Sequence, residues 1–186
     1  MTTRRADAPA AGDPDRRRAV LESAMETFAR FGYRKTSMDD IATAAQISRP
    51  GLYFLFDSKP VLFREAVTHS LNRDLGLIST ELGTHDRPLA ERLIAAFDLW
   101  AGSYVGPLSE EVSVVVADPS LLGSAVHEGS ARFEEFVAGA IAEVRPADGA
   151  ARAKTLISAS IGIKHQVATR EEYLRRLEVA VGLLLA

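Results

Sequence analysis

The chain has 186 residues, 47% of them hydrophobic and 25% charged, with a formal net charge of −3 and no cysteine. Without cysteine there are no disulfides, no thiolate nucleophile and no cysteine-ligated zinc. No apolar run reaches the roughly 18 residues of a membrane span. The first twenty residues carry five arginines and two prolines but no apolar stretch, so no secretory signal is expected and a cytoplasmic location fits. Charge is unevenly spread. Residues 1–64 hold 11 lysines and arginines against eight acids, and residues 65–186 hold 11 against 17. A basic head on an acidic body suits a polyanionic partner for the head, although a mixed surface can show such asymmetry by chance.

Residues 1–14 read as a disordered arm of Pro, Ala, Gly and charge. A helix is expected from about Asp15, where Val20, Ala24 and Phe28 repeat every four residues and Leu21 and Phe31 widen the stripe. Gly32 stands where it should end. Ser37-Met38-Asp39-Asp40 ahead of Ile41 is a capping-box start to a short second helix. Ser48, with Pro50 following, opens a third helix whose apolar face is Leu52, Leu55 and Phe56. Asp57-Ser58-Lys59-Pro60 opens a fourth, running to about residue 80. After a break at Gly83 to Pro88, the stripe Leu89, Leu93, Phe97, Trp100, Tyr104 defines an amphipathic helix that Gly106-Pro107 ends. Residues 108–119 are ambiguous. Val126, Phe133, Phe136, Val137, Ala140, Ile141 and Val144 mark a long helix stopping at Pro146. A final pair is expected at roughly 148–166 and 170–186.

The segment from Ala42 to Leu52 carries the strongest functional signal. Two short helices meeting at a tight turn need a small residue at their crossing, here Ala42, and apolar residues beyond it, here Ile47 and Leu52. In such a helix-turn-helix the second helix lies in the DNA major groove, although any tight helical hairpin can show this spacing.

The wider stretch Phe31-Gly32-Tyr33-Arg34-Lys35-Thr36-Ser37-Met38-Asp39-Asp40-Ile41-Ala42, continuing through Ser48-Arg49-Pro50-Gly51-Leu52-Tyr53-Phe54-Leu55-Phe56-Asp57-Ser58-Lys59 to Leu62-Phe63, resembles the TetR family of transcriptional regulators over residues 17–64. Gly162-Ile163-Lys164-His165 and Thr169 to Tyr173 are more loosely similar to the tail of many members. The resemblance implies an all-α chain: a disordered arm at 1–14, a three-helix DNA-binding domain at 15–64, and a helical ligand-binding and dimerisation domain at 65–186. It implies phosphate contacts from Tyr33, Thr36 and Tyr53, and groove-facing positions at Ser48, Arg49 and Gly51. Lys59 adds a cation to the open amides at the start of the fourth helix, an anion site. Ala42, Ile47, Leu52 and Phe56 are expected in the core. Arg16 and Arg17, beside the first helix, are a second basic element.

Three positions depart from the family pattern. Gln46 stands where the turn commonly has Gly, and a positive φ there would cost about 1 kcal/mol. Gly51 stands where a polar side chain is common. Phe54 is apolar where a polar ring is frequent; it either meets a thymine methyl or covers the helix–helix seam.

The expected function is therefore a sequence-specific repressor, a homodimer on a palindromic operator of double-stranded DNA, released by an apolar or aromatic small molecule. The ligand would sit among Phe97, Trp100, Tyr104, Phe133 and Phe136, with His127 as polar anchor, although aromatic stripes at helical spacing are usually core. Dimer contacts are expected from Ser158 and Gly162, small residues one turn apart, and from the stripe Tyr173, Leu177, Ala180, Val181 and Leu184. A ligand-independent architectural DNA-binding protein is the alternative. An enzyme is a weaker one, since no nucleophile elbow, zinc-protease motif or phosphate-cradling glycine loop is present. No cofactor or metal and no membrane partner is expected.

Overall fold

The computed structural model describes residues 14–102, 105 and 119–186, and every described element is helical. The helices are α1 (Pro14–Phe31), α2 (Met38–Ala44), α3 (Arg49–Leu55), α4 (Lys59–Gly83), α5 (Leu89–Ala101), α6 (Pro119–Leu122), α7 (Ala125–Ala142), α8 (Gly149–Lys164) and α9 (Arg170–Leu185). No described helix is long and apolar enough to cross a membrane. The arm and Tyr104 lie outside the described residues, as does most of the ambiguous stretch 108–119.

The chain divides into two compact units. The first comprises the described residues up to Ser70 together with Ser120–Leu122, and the second runs from Leu71 to Pro119 and from Gly123 to Ala186. The division falls inside α4, whereas residues 15–64 and 65–186 were the domains expected.

In the first unit, α1 buries Val20, Leu21, Ala24, Thr27 and Phe28. It stops at Gly32, whose φ is +81° and whose amide donates a hydrogen bond to the Phe28 carbonyl, a left-handed cap. Helix α2 begins with a complete capping box: the Asp40 amide donates to Ser37 Oγ and the Ser37 amide donates to Asp40 Oδ2. The turn to α3 passes through Gln46 at φ +53°, so this position keeps the left-handed conformation common to glycine despite the cost to a residue with a Cβ. The amides of Gln46 and Ile47 close that turn on the carbonyls of Thr43 and Ala42.

In the second unit one core joins the later part of α4 (Leu75, Ile78, Leu82) to α5, α7, α8 and α9. Phe97 and Phe133 meet edge to face with centroids 5.0 Å apart, and Trp100 stacks on Phe133 at 4.6 Å. Arg92, 4% exposed, donates to the Leu82 carbonyl and to Glu143, 3.2 Å away, fastening α5 to the ends of α4 and α7. The turn from α7 into α8 depends on Gly149. A Cβ there would lie 2.9 Å from the Ala142 amide nitrogen, so only glycine lets the two backbones approach this closely.

The expected dimer stripe divides between two sides of α9. Tyr173, Leu177 and Val181 have no exposed surface and belong to the core of their own unit, so they are not the outward face that the periodicity suggested. Ala180 and Leu184 are partly buried against the same core. The buried Tyr173 hydroxyl sits 2.8 Å from Ser160 Oγ, and burial, partly offset by that bond, pushes its pKa up to about 12. The apolar side chains that do face outward are Ile161 on α8 and Val179 and Leu183 on α9, at 55%, 62% and 74% exposure. Ser158 is exposed beside them, and open space surrounds Gly162.

Gln46→Gly relieves a left-handed residue of its Cβ, and should raise the stability of the first unit by about 1 kcal/mol in urea unfolding. Gly149→Ala should lower that of the second by about 1–3 kcal/mol, the usual cost of overpacking.

Candidate nucleic-acid interface

Helix α3 has seven residues, too few to persist alone in water. Three features hold it in place. The Ser48 hydroxyl accepts from the Gly51 amide at 3.2 Å, Pro50 sits in the first turn, and Leu52 is completely buried. Ala42 and Phe56 are buried with it and Ile47 is half-buried, so the four residues expected in the core all face inward.

The opposite side of α3 is open. Phe54 projects from it, 71% exposed, with Tyr53, 41% exposed, on one flank and the exposed Arg49 at the edge beyond. Arg49 Nη1 donates to Asp39 Oδ2 on α2 at 3.1 Å, and its guanidinium lies 5.7 Å from the Tyr53 ring centroid. The arginine is thus drawn to the α2 side of the helix and its reach is limited. Asp39 was not singled out from the sequence; ten residues separate it from Arg49, and only the helix crossing brings them together.

At Gly51, the place a Cβ would take is 3.1 Å from Ser48 Oγ and 3.8 Å from Arg16 Nη2. The side chain missing from α3 at this position is therefore replaced in space by an arginine from α1.

Several of the other expected contact residues act inside the domain. Thr36 is 3% exposed, and its hydroxyl donates to the Gly32 carbonyl at 2.8 Å. Lys59 Nζ donates to the carbonyls of Tyr33 and Thr36 at 3.0 and 2.9 Å and stands 4.5 Å from the Tyr33 ring centroid. The lysine thereby ties the α1–α2 turn to the start of α4. Tyr33 itself is half-buried, packed on Phe63 and Phe28. Arg17 donates to the Leu55 carbonyl at 2.8 Å, pairs with Glu65 and lies 4.3 Å above the Phe56 ring. It locks the end of α3 between α1 and α4.

The residues expected around a ligand also separate. Phe97 and Phe133 are fully buried and Trp100 and Phe136 partly so, whereas His127 points to solvent and anchors nothing inside. Among the described residues no cluster of three or more His, Cys, Asp or Glu could hold a metal ion.

The model for the bacterial regulatory proteins of the tetR family matches residues 20–66, the segment that builds α1, α2, α3 and the start of α4. Residues 20–66 of this chain are thus similar to the N-terminal DNA-binding domain of that family. The HTH-type transcriptional regulator YhgD of Bacillus subtilis is 39% identical over 54 residues, 29% of this chain and 28% of that protein. IcaR of Staphylococcus epidermidis, the negative transcriptional regulator of the biofilm operon icaADBC, is 30% identical over 53 residues, 28% of this chain and 29% of its own length. The chain thus spans less than a third of the curated relatives it matches. A solved structure from Mesorhizobium loti, described as of a TetR-family transcriptional regulator, is similar over 96% of this chain and 98% of that one, with a TM-score of 0.77 at 20% identity. That likeness extends the TetR-type fold through the C-terminal helices.

The Asp40 carboxyl is held below the usual carboxylate range by its hydrogen bonds to the Ser37 side chain and then the Ser37 backbone. A carboxylate with a depressed folded pKa stabilises above its unfolded value and loses that contribution as pH falls through the folded one. The α2 cap should therefore be intact at neutral pH and weaken on acidification below about pH 4. Asp40→Ala should destabilise the domain more at pH 7 than at pH 2.5, as read by thermal unfolding at both.

Proposed function

We propose that this protein is a sequence-specific DNA-binding transcriptional regulator. It acts as a homodimeric repressor on a palindromic operator and is released by a small molecule bound among the C-terminal helices. The observation that carries the reading is the outward face of α3, where Arg49, Tyr53 and Phe54 project from a helix-turn-helix of the TetR family. One helix of this length covers few base pairs, so specificity calls for two related by a two-fold axis.

The exposed Ile161 on α8, with Ser158 and Gly162 near it in sequence, and the exposed Val179 and Leu183 on α9 support the dimer. These apolar side chains stand exposed on the last two helices, and a second copy would cover them. For the ligand, the support is the family resemblance and the partly exposed Trp100 stacked over Phe133 beside Phe97, an environment for an apolar or ring-containing compound. A ligand regulates only through its different affinities for DNA-competent and DNA-incompetent conformers. Trp100 is the sole tryptophan, so its emission reports on that region alone. A compound that releases the protein from DNA without changing Trp100 emission would move the ligand site elsewhere. If nothing in a broad panel alters DNA affinity, the architectural reading would be favoured.

Titration onto the DNA upstream of its own gene, at two salt concentrations, tests the reading. Specific retention that weakens steeply with salt is expected, and equal affinity for unrelated DNA would refute it. Arg49→Ala should relax sequence preference by about 1–3 kcal/mol and leave the melting temperature unchanged. Arg16→Ala should weaken binding to every sequence and flatten the salt slope by nearly one unit. Lys59→Ala should lower both affinity and melting temperature, because the lysine holds the α1–α2 turn. In sedimentation, Leu183→Glu should shift the mass toward monomer with the fold retained, whereas Leu177→Glu, at a fully buried site, should unfold the chain.

A further inference from the structure

The reading surface of α3 is apolar at its centre. An α-helix turns about 100° per residue, so with Leu52 directed fully inward, Pro50 and Phe54 each lie about 160° from it, on the opposite side. Both are exposed, and Phe54 presents 71% of its surface to solvent. One flank of this pair holds Arg49 and Tyr53. On the other flank is Gly51, which contributes no side chain, so nothing from α3 stands beside the phenyl ring there. The cationic donor of α3 is therefore at its edge, drawn toward Asp39, and the ring is at its middle.

A phenyl ring pressed against a major-groove edge discriminates by what it displaces. Against guanine O6 and N7, or the amino groups of cytosine and adenine, it removes water and returns no hydrogen bond, which leaves a buried polar group unpaired. Against the C5-methyl of thymine it meets carbon with carbon and excludes water at no such cost. We infer that Phe54, flanked by Pro50, reads thymine through its methyl group and is a specificity-determining residue of the helix. The inference rests on the DNA-binding function proposed above, and it assigns a base and an atom to a residue that has no hydrogen-bonding group.

The test uses the full chain and a pool of duplexes with a randomised segment of about 24 base pairs, long enough for two half-sites a helical turn apart. The duplex recovered by repeated selection is then synthesised with each thymine replaced in turn by deoxyuridine, which pairs identically but lacks the methyl. One thymine per half-site should be fixed by selection, and its replacement should weaken binding about three- to five-fold, the effect of exposing one methyl group. In Phe54→Ser the same replacement should have no effect, while the melting temperature matches that of the parent chain because the side chain is exposed. Overturning results are a selected duplex that binds equally well with deoxyuridine at every position, or a penalty that persists in Phe54→Ser. If selection enriches no sequence at all, the DNA-binding function fails and this inference with it; enrichment without a deoxyuridine effect removes only the inference.

Discussion

The complete burial of Leu52 is the constraint on which the rest of the N-terminal unit depends. A seven-residue helix has no stability of its own, and one fully buried side chain fixes which side of it turns inward. Once Leu52 points inward, helical geometry decides that Phe54 and Pro50 point out and that Arg49 comes to the Asp39 side. The small Ala42 lets the two helices approach, and the left-handed Gln46 reverses the chain in the few residues available. A larger residue at Ala42 would rotate or lift α3, and every outward contact would shift with it.

The cations of this domain divide into two kinds of work. Lys59 and Arg17 bind backbone carbonyls and lie against aromatic rings, so much of their hydrogen-bonding capacity is met inside the fold. Arg49 and Arg16 lie against α3. Their surroundings differ for a physical reason: Lys59 and Arg17 stand at helix junctions, where uncapped carbonyls attract donors, whereas Arg49 meets the Asp39 carboxylate of α2 at the domain surface. A count of lysines and arginines near a motif therefore overstates how many meet a polyanion.

Much of the fold was legible in the sequence because its signals are local. The capping box at Ser37, the cap at Ser48 and the stop at Gly32 each depend on a few neighbouring residues, and the structure has all of them. Pairings between distant residues were not legible. Asp39 with Arg49 and Glu65 with Arg17 depend on how helices cross. The outward face of α9 differs from the expected one for a related reason. Tyr173, Leu177 and Val181 form one four-residue series, Val179 and Leu183 form another, and both are apolar. Periodicity identifies stripes without saying which of two meets the protein interior. The same ambiguity applied to the aromatic stripe of α5, where Phe97 proved to be core and Trp100 lies at its margin.

The contrast among glycines has a consequence for anyone building variant libraries of this chain. Gly149 sits against the Ala142 backbone with no room for a methyl group, while Gly76, Gly83, Gly139, Gly162 and Gly182 have nothing within 4 Å of where a Cβ would stand. Randomising Gly76, Gly83, Gly139 or Gly182 alters helix propensity and surface chemistry at little steric risk within the chain, whereas Gly162 lies beside the proposed dimer face. Randomising Gly149 would instead lower the stability of most of the library, because every other side chain overpacks the α7–α8 corner.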